Sequence, residues 1–452
     1  MQMNTIYLIA LEMTIILSII FIFPMKIAIL FSIIIIGVIF IFSSKKEIVL
    51  ILIPALFIIR AFTSINFNSF EQNQMVNLQI TVNNSIGKIE KIDGKYPKTF
   101  SFTNVENCEN GKYIIVGKII DKKTKYNNIY YSIKIMEKKL KEDFFLKKYF
   151  LNISDRLLQD SSYQLKRVFK AVILGENQLL NKTLKSTFSY LGISHILALS
   201  GFHMGIIISI FTLIIRNFNT SKIKRNMILL FFLTLYYLGI THSPSLNRAY
   251  FMCVIFLLGN IFYENTELVK SLTLSYIISL FIFPIALKNI SFKLSYSAVF
   301  IIGTIFPIVK IQCQKKGIKI PNSILLIFTL QLFLMPIVLN EFGTIQILSF
   351  ISNIILIPLG SLFITISFIG LLFENLYLGF IFTPFINLSY WLFIKAVKIL
   401  KNIPFISIKY NNGFHSTVFY FAYFILLFII IYHNKKEKKY NEKNFKKNSR
   451  GY

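Results

Sequence analysis

Long apolar runs, separated by short polar stretches, constrain this sequence more than any other feature. The first three lie at residues 6–23, 27–42 and 48–62, and about nine more follow from Phe188 to Tyr432. A run of about 20 apolar residues spans a bilayer as a helix. A water-soluble domain could not bury so much apolar surface in one core. With 55% hydrophobic and 15% charged residues, the chain is predicted to be a polytopic α-helical membrane protein of about 12 spans.

The composition changes between residues 66 and 152, where no run is long enough to cross a membrane. Short stretches rich in β-branched and aromatic residues alternate here with turn residues such as Asp93-Gly94. These stretches are residues 76–82, 86–92, 97–103, 113–120 and 129–136. Five strands predict a small antiparallel barrel, for which the OB-fold is the five-stranded candidate. A β domain that binds no ligand fits the same pattern.

The sequence therefore divides into five parts. Transmembrane helices at 1–65 precede the OB-like β domain at 66–152, and apolar residues at helical spacing predict one amphipathic helix over 153–187. The apolar runs of 188–433 form the main membrane domain, and a basic tail occupies residues 434–452.

Basic residues mark alternate loops of the membrane domain. Lys and Arg concentrate at 216–225, at 310–319 and in the tail, and the loops at 264–270 and 374–375 complete the alternation. Cytoplasmic loops carry an excess of Lys and Arg. This pattern predicts cytoplasmic N- and C-termini and an extracytoplasmic β domain. The net charge of +29 permits an anionic substrate, although part of it serves to fix this topology.

The densest polar cluster inside an apolar run is at 192–205, and it contains His195, Ser200, Gly201 and His203. Such side chains are costly in a membrane unless they face protein or water. An unbroken helix would separate the two imidazoles by about 12 Å along its axis, and no carboxylate completes a ligand set, so no metal is predicted. Ser200 and His203 have the i, i+3 spacing of a nucleophile and base, but no acid is nearby to orient the base.

A second polar cluster, at residues 241–250, lies at the predicted outer junction of two spans and contains Ser245 and Arg248. An arginine here suits an interfacial anchor. Its planar guanidinium also suits a phosphate group. Both roles fit the sequence.

Several stretches of the membrane region carry a resemblance to a known family. They are KAVILGEN at 170–177, GISHILALSGFHMGII at 192–207, HSPSLNRAYFM at 242–252, FPIALKNISFKLSYSAVFIIG at 283–303 and MPIVLNEFGTIQILSFISNIILIPLG at 335–360. In this order they resemble the ComEC family, the competence channel proteins of bacterial natural transformation. The resemblance covers roughly residues 70–430, and the GISHILALSGFHMGII motif is specific.

The resemblance implies a channel in the bacterial cytoplasmic (inner) membrane that passes single-stranded DNA into the cytoplasm, with no enzymatic activity and no cofactor of its own. The candidates for the DNA path are His195, Ser200, Gly201, His203, Ser245 and Arg248. The β domain would be the OB-like domain of the family. Its candidates for stacking on bases are Tyr113, Tyr126, Tyr130 and Tyr131.

The implied partners are single-stranded DNA, the membrane, a periplasmic DNA receptor, and a cytoplasmic motor or single-strand-binding proteins. No Walker-type phosphate loop is present, so the energy is expected to come from another protein. The oligomeric state stays open. A small-molecule or lipid-precursor transporter and an intramembrane Ser/His hydrolase are the alternative functions.

Longer members of the family carry a C-terminal metallo-β-lactamase-like domain, and this sequence has no HxHxDH run. The nuclease role sometimes assigned to that domain is therefore not carried over. Metal-activated hydrolysis needs clustered His and acidic ligands, and the five His of this chain are scattered. We therefore expect the purified protein to have no metal-dependent nuclease activity.

Overall fold

The structure is a computed structural model. It describes residues 3–22, 25, 27–32, 34, 49–66, 74–83, 86–98, 101–105, 111–125, 128–140, 144–197, 199–216, 218, 220–262, 268–345, 349–403 and 408–409. The chain forms two compact units. The larger unit contains Met1–Leu180, Ala198–Phe292 and Ser367–Thr383, and the smaller unit contains Asn181–Leu197, Lys293–Ile366 and Pro384–Tyr452.

A closed barrel of five strands belongs to the larger unit. Its strands are β1 (Met75–Asn83), β2 (Ile86–Ile92), β3 (Ser101–Asn104), β4 (Gly111–Lys125) and β5 (Asn128–Leu140). The order around the barrel is β1-β2-β3-β5-β4, and β4 pairs with β1 to close it. Only β3 and β5 pair in parallel among these strands. This Greek-key order is that of an OB-fold, so the prediction of a small barrel is confirmed.

Alternating apolar residues fill the inside of the barrel. Every second residue of β1 from Val76 to Val82 points inward and is at most 2% exposed, as expected for a strand with one buried face. The other buried members of this core are Ile89, Ile92, Val105, Ile115, Ile119 and Tyr131. Each such aliphatic side chain contributes about 1.5–3 kcal/mol when fully buried, so the barrel has a hydrophobic core of its own.

The third strand differs from the sequence prediction of 97–103. Tyr96–Pro97 pairs in parallel with Ile65–Asn66, outside the barrel, and β3 begins only at Ser101. Proline has no backbone N–H to donate to a ladder, which confines it to edges and strand ends. Pro97 therefore belongs to a short separate pairing rather than to the barrel strand.

Helices make up most of the remaining described chain. They are α1 (Met3–Ile22), α2 (Val49–Ser64), α3 (Phe145–Leu157), α4 (Tyr163–Leu174), α5 (Lys182–Tyr190), α6 (Ser194–Leu197), α7 (Gly201–Arg216), α8 (Lys222–Leu238), α9 (Pro244–Ile261), α10 (Leu268–Ile282), α11 (Ile290–Phe300), α12 (Phe306–Lys315), α13 (Asn322–Phe342), α14 (Ser349–Glu374) and α15 (Thr383–Lys401). A π-helical stretch, Ile301–Ile305, joins α11 to α12.

Four helical segments within the described residues are long and apolar enough to cross a membrane. They are Ile290–Lys315, Asn322–Phe342, Ser349–Glu374 and Gly379–Lys401. Shorter apolar helices are found at Tyr7–Ile22, Leu52–Ser64, Gly201–Arg216, Ser245–Ile261 and Leu268–Ile282. These helices and the barrel fit a membrane protein with a small β domain. The number of about 12 spans stays a prediction.

The single amphipathic helix predicted over 153–187 is wrong, because the chain is broken twice in this stretch. Leu157 ends α3, and the Ser162 side chain caps α4 by accepting a hydrogen bond from the Leu165 N–H (3.3 Å). Gly175 then ends α4 with a left-handed φ of 81°, a conformation that favours glycine. The result is two amphipathic helices, with α5 following.

Two loops of the larger unit lie at the barrel. The Lys288 ammonium, between α10 and α11, donates a hydrogen bond to the backbone carbonyl of Lys98. The charge of Lys112 in β4 lowers the pKa of the imidazole of His242, a residue in the loop between α8 and α9. Because α8, α9 and α10 pack against their sequence neighbours, these two loops occupy the same end of the helices. Both belong to the set of loops that the sequence predicts on the barrel side.

The turn after α14 departs from the predicted alternation, which puts residues 374–375 on the side opposite the barrel. The Tyr149 hydroxyl of α3 donates to the amide oxygen of Asn375 (3.0 Å), and Arg156 Nε lies 3.8 Å from the Glu374 carboxylate. Phe150, the residue after Tyr149, packs its ring against Gly239 at the barrel end of α8. The turn therefore lies towards the barrel end of the larger unit. It contains no Lys or Arg, so only the alternation of loops predicts its side.

Candidate functional site

The first polar cluster lies at a break in the helices, not in one continuous span. Leu197 ends α6, and α7 begins at Gly201. Ser200 precedes α7, and its carbonyl accepts a hydrogen bond from the Met204 N–H (3.3 Å). His203 Nδ1 accepts a hydrogen bond from the Ser200 N–H (3.3 Å) and lies 3.2 Å from Ser200 Oγ. Ser200 is therefore the N-cap of α7, with His203 at the third helical position.

This contact corresponds to one half of a capping box, with His in the place of the usual Glu or Gln. In that motif, the side chain at the third helical position returns to the N–H of the N-cap residue. A ring nitrogen that accepts from an N–H carries no proton, so Nδ1 is the unprotonated ring nitrogen in this contact. The contact between Ser200 and His203 thus has a structural role in starting α7, although the distance also suits a nucleophile and base.

Arg248 of α9 lies beside the start of α7. Its side chain is buried, and the residue is only 6% exposed. One guanidinium nitrogen lies 3.4 Å from Met252 Sδ, and the other would lie 2.8 Å from a Cβ placed on Gly201. Gly201 has no left-handed φ, so glycine is needed here for space rather than for backbone conformation. Any larger residue would displace the guanidinium.

The electrostatics of this position favour an anion. The first N–H groups of a helix have no partner within the helix and give its N-terminus a partial positive charge. The Arg248 guanidinium adds a full charge at the start of α7. An anionic group placed against both would gain charge-assisted hydrogen bonds, and the planar guanidinium matches two phosphate oxygens.

Ser243 joins the starts of α7 and α9. Its hydroxyl oxygen accepts a hydrogen bond from the Leu246 N–H (3.1 Å), which caps α9, and the hydroxyl donates to the Leu199 carbonyl (3.0 Å). Ser245 is the second residue of α9 and is partly exposed. The two polar clusters of the sequence therefore form one junction in the larger unit, which we call the α7–α9 junction (residues 199–203 and 241–248).

A buried carboxylate anchors this junction, and sequence analysis missed it. Glu176 is 5% exposed, and its Oε1 lies 2.6 Å from both Lys147 Nζ and the Thr241 hydroxyl, which donates to it. A Cβ on Gly175 would lie 2.8 Å from the Thr241 carbonyl and 2.7 Å from Leu199, so glycine permits the close approach. The signal in the sequence was the KAVILGEN stretch, whose last residues form this anchor.

His195 belongs to a different unit from the other predicted path residues. It lies on α6 of the smaller unit and is exposed, whereas Ser200, Gly201 and His203 belong to the larger unit. Within the described residues, no three or more His, Cys, Asp or Glu side chains come together as a metal site would require. His415 and His433 lie outside the described residues.

The outer face of the barrel carries a row of aromatic and basic residues. Lys88 of β2 is opposite Phe102 of β3, Phe102 is opposite Tyr130 of β5, and Tyr130 is opposite Lys123 of β4. The Phe102 and Tyr130 rings stack, with centroids 5.3 Å apart and planes 23° apart. Both lysines are exposed, and Tyr130 is 37% exposed. We call these four residues the barrel row.

The other tyrosines predicted to stack on bases are placed differently. Tyr131 is buried in the barrel core, where desolvation raises the pKa of its hydroxyl, and Tyr113 packs against that core. Successive residues of a strand point to opposite faces, so Tyr131 points inward because Tyr130 points outward. The buried Tyr131 ring is not exposed for stacking on a base, whereas Tyr113 is partly buried. Tyr126 lies outside the described residues.

Comparison with known proteins places the chain in a family. The model of the family described as "Competence protein" matches residues 172–436. ComE operon protein 3 of Bacillus subtilis (strain 168) is 27% identical over 216 residues, which are 47% of this chain and 26% of that relative. The chain therefore matches about a quarter of the length of that relative. No solved structure matches.

The matched region contains the α7–α9 junction and every helix from α7 to α15. It starts inside α4, after the barrel, and includes the Glu176 anchor. Because the matched region is more than half of the 452 residues, the chain belongs to the competence protein (ComEC) family, as its membrane motifs predict.

Proposed function

We propose that this chain is a channel through which single-stranded DNA enters the cytoplasm. The observation that carries the proposal is Arg248, whose guanidinium lies buried at the N-terminus of α7 in a chain of apolar helices. A phosphate backbone cannot cross lipid, so its path needs hydrated and basic positions inside the protein. Membership of the competence family supports DNA as the anion.

The barrel is the surface on which a single strand first binds. The stacked pair Phe102 and Tyr130 offers an aromatic platform, and Lys88 and Lys123 flank it on the neighbouring strands. Single-strand binders combine stacking on aromatic rings with basic side chains that follow the backbone. The barrel row has both features on one face, whereas the buried Tyr131 does not contribute.

The DNA path proposed for the helices keeps Ser200, Gly201, His203, Ser245 and Arg248, which lie together at the α7–α9 junction. His195 stays a candidate on α6. We place the protein in the bacterial cytoplasmic membrane, with its barrel outside and both termini in the cytoplasm. A periplasmic DNA receptor would supply the strand, and a cytoplasmic motor or single-strand-binding proteins would draw it in.

The channel performs no chemical step of its own. The capping role of Ser200 and His203 accounts for their contact without any catalysis. A transporter for small molecules or lipid precursors would also use a basic site inside apolar helices. It would have no use for the barrel row, whose aromatic and basic side chains suit a polymer with bases and phosphates.

A transformation assay tests the proposal. Cells that lack their own ComEC-type protein are complemented with this chain and given labelled duplex DNA. We expect restored transformation and an internal labelled single strand. In cells with the empty vector, DNA should collect outside the cytoplasmic membrane. Full-length, membrane-inserted protein that restores no internal DNA would contradict the proposal and favour the transporter.

A further inference from the structure

Three aromatic rings form a column at the barrel end of α8 and α9. The Tyr237 ring stacks on His242 on one side, with centroids 4.3 Å apart and planes 10° apart. On its other side it stacks on Tyr250, with centroids 3.9 Å apart and planes 6° apart. Separations this short between nearly parallel rings mean continuous van der Waals contact along the column.

Hydrogen bonds fix each ring of the column. The Tyr237 hydroxyl donates to Asn247 Oδ1 (3.0 Å), and the Tyr250 hydroxyl lies 3.1 Å from the Thr234 hydroxyl. His242 Nε2 lies 2.9 Å from the Tyr237 carbonyl, to which it donates. Rings held in this way lose little freedom when a ligand stacks on them, which favours binding.

His242 forms the exposed end of the column. It is an exposed residue, while Tyr237 and Tyr250 are partly buried beneath it. Partial burial lowers the pKa of the imidazole, and the charges of Lys112 and Lys147 lower it further, against the opposing effect of the Tyr237 carbonyl. The lowered pKa favours the neutral imidazole near pH 7. Lys147 is paired with the Glu176 carboxylate, so the exposed Lys112 is the lysine that can meet an anion beside the ring.

We propose that the column formed by His242, Tyr237 and Tyr250 is a platform on which a base of the incoming strand stacks at the mouth of the channel. The inference rests on the proposed function and adds a second base-binding position to the barrel row. Lys112 belongs to β4, which also carries Lys123 of the barrel row, while His242 belongs to the α7–α9 junction. A strand bound here would have a base on His242 and its backbone near Lys112.

An alternative role for the column is purely structural, because it also closes the loop between α8 and α9. The two roles differ in their dependence on bases. A structural column would act equally on any polyanion, whereas a platform acts only on DNA that has bases.

Binding to two oligonucleotides separates these roles. Purified full-length protein is titrated with labelled oligothymidylate and with a matched abasic oligonucleotide, and fluorescence anisotropy gives Kd for each. For His242→Ala we expect oligothymidylate to bind about 5- to 150-fold more weakly, the range for one stacked base, and the abasic oligonucleotide to bind as before. His242→Phe should restore base-dependent binding, and His242→Trp should strengthen it.

An affinity for oligothymidylate that is unchanged in His242→Ala would overturn the platform. So would an equal loss of affinity for both oligonucleotides in His242→Ala. Wild-type protein that binds neither oligonucleotide would overturn the proposed function itself, and the platform with it. The failure of each proposal thus has its own pattern.

Discussion

The barrel and the α7–α9 junction both carry basic groups, but they hold them in opposite ways. The barrel row lies on the outer face of a sheet, where Lys88 and Lys123 are exposed on either side of two stacked rings. At the junction a single guanidinium is buried against a helix N-terminus. Exposed charges are weakened by solvent and salt, whereas a buried charge is screened far less.

In the proposed channel, the exposed row captures the DNA strand and the buried position acts on its passage. An exposed row tolerates the loss of one contact, because its neighbours still bind the strand. A buried position in a narrow path has no substitute nearby, so each change there should act on passage directly. We therefore expect substitutions of the buried Arg248, or of Gly201 beside it, to have larger effects on DNA entry than substitutions in the barrel row.

Arg248→Ala should have the largest effect. Loss of a buried charged contact costs roughly 2–5 kcal/mol, so we expect DNA entry to fall by about 30-fold or more. Arg248→Lys should rescue it only in part, because an ammonium cannot bind two phosphate oxygens in a plane. Arg216→Ala, an exposed position at the end of α7, is the matched control. Equal transformation frequencies with the Arg248→Ala and Arg216→Ala proteins would contradict the larger role of the buried arginine.

Substitutions of two glycines one turn apart on α7 should differ strongly in their effect on DNA entry. A Cβ on Gly201 would lie 2.8 Å from the Arg248 guanidinium, whereas a Cβ on Gly205 meets no described atom within 4 Å. Gly201→Leu should therefore block DNA entry, and Gly201→Ala should reduce it by displacing the guanidinium. Gly205→Ala should be tolerated, since alanine favours a helix by about 1 kcal/mol over glycine. Transformation frequency, corrected for protein amount, gives the measurement.

In the barrel row, Tyr130→Ala should weaken binding of single-stranded DNA by about 1–3 kcal/mol, the usual value of one stacked base. Tyr130→Phe keeps the ring and should bind like the wild type. Lys88→Ala should reduce the slope of log affinity against log salt by about 0.7, the contribution of one phosphate contact on a single strand. Salt-independent binding by the wild type would mean that the barrel is a structural insert.

The smallest effects should come from the cap of α7. Ser200→Ala should lower stability by about 0.5–2 kcal/mol, the usual cost of removing an N-cap, and leave DNA entry largely intact. His203→Gln should be tolerated better than His203→Ala, because glutamine completes a capping box but cannot act as a base. Apparent unfolding midpoints and transformation are measured together. Loss of function in His203→Gln with unchanged stability would favour the hydrolase.

The sequence predicted the features that depend on neighbouring residues. The β-branched residues from Val76 to Val82 and the turn residues that follow them predicted a barrel strand, and the apolar runs predicted membrane helices. It did not predict the stack of Phe102 on Tyr130, because that pair depends on two strands that are distant in sequence and pair in parallel. The choice between Tyr130 and Tyr131 required the register, since one step changes the face.

In the candidate site, too, the sequence did not predict contacts between residues that are far apart in the chain. The Gly-, Ser- and His-rich motif was predicted to lie inside one apolar run, and the break before α7 was not predicted, since a cap is defined by backbone geometry. The contact between Gly201 and Arg248, and the anchoring of Thr241 by Glu176, join residues far apart in the chain. The Glu374 turn was misplaced because it has no basic residue to mark its side.

The most direct test of the account is whether DNA passes the α7–α9 junction. A photoreactive amino acid is placed at Gly205, one turn from Gly201 and facing open space among the described residues, or at Leu213, an exposed position on the same helix. The cells are then illuminated during uptake of labelled DNA. We predict cross-links between the DNA and position 205, few at position 213, and loss of the cross-links in the Arg248→Ala background. Normal uptake with no cross-link at 205, or with equal cross-links at both positions, would contradict the account.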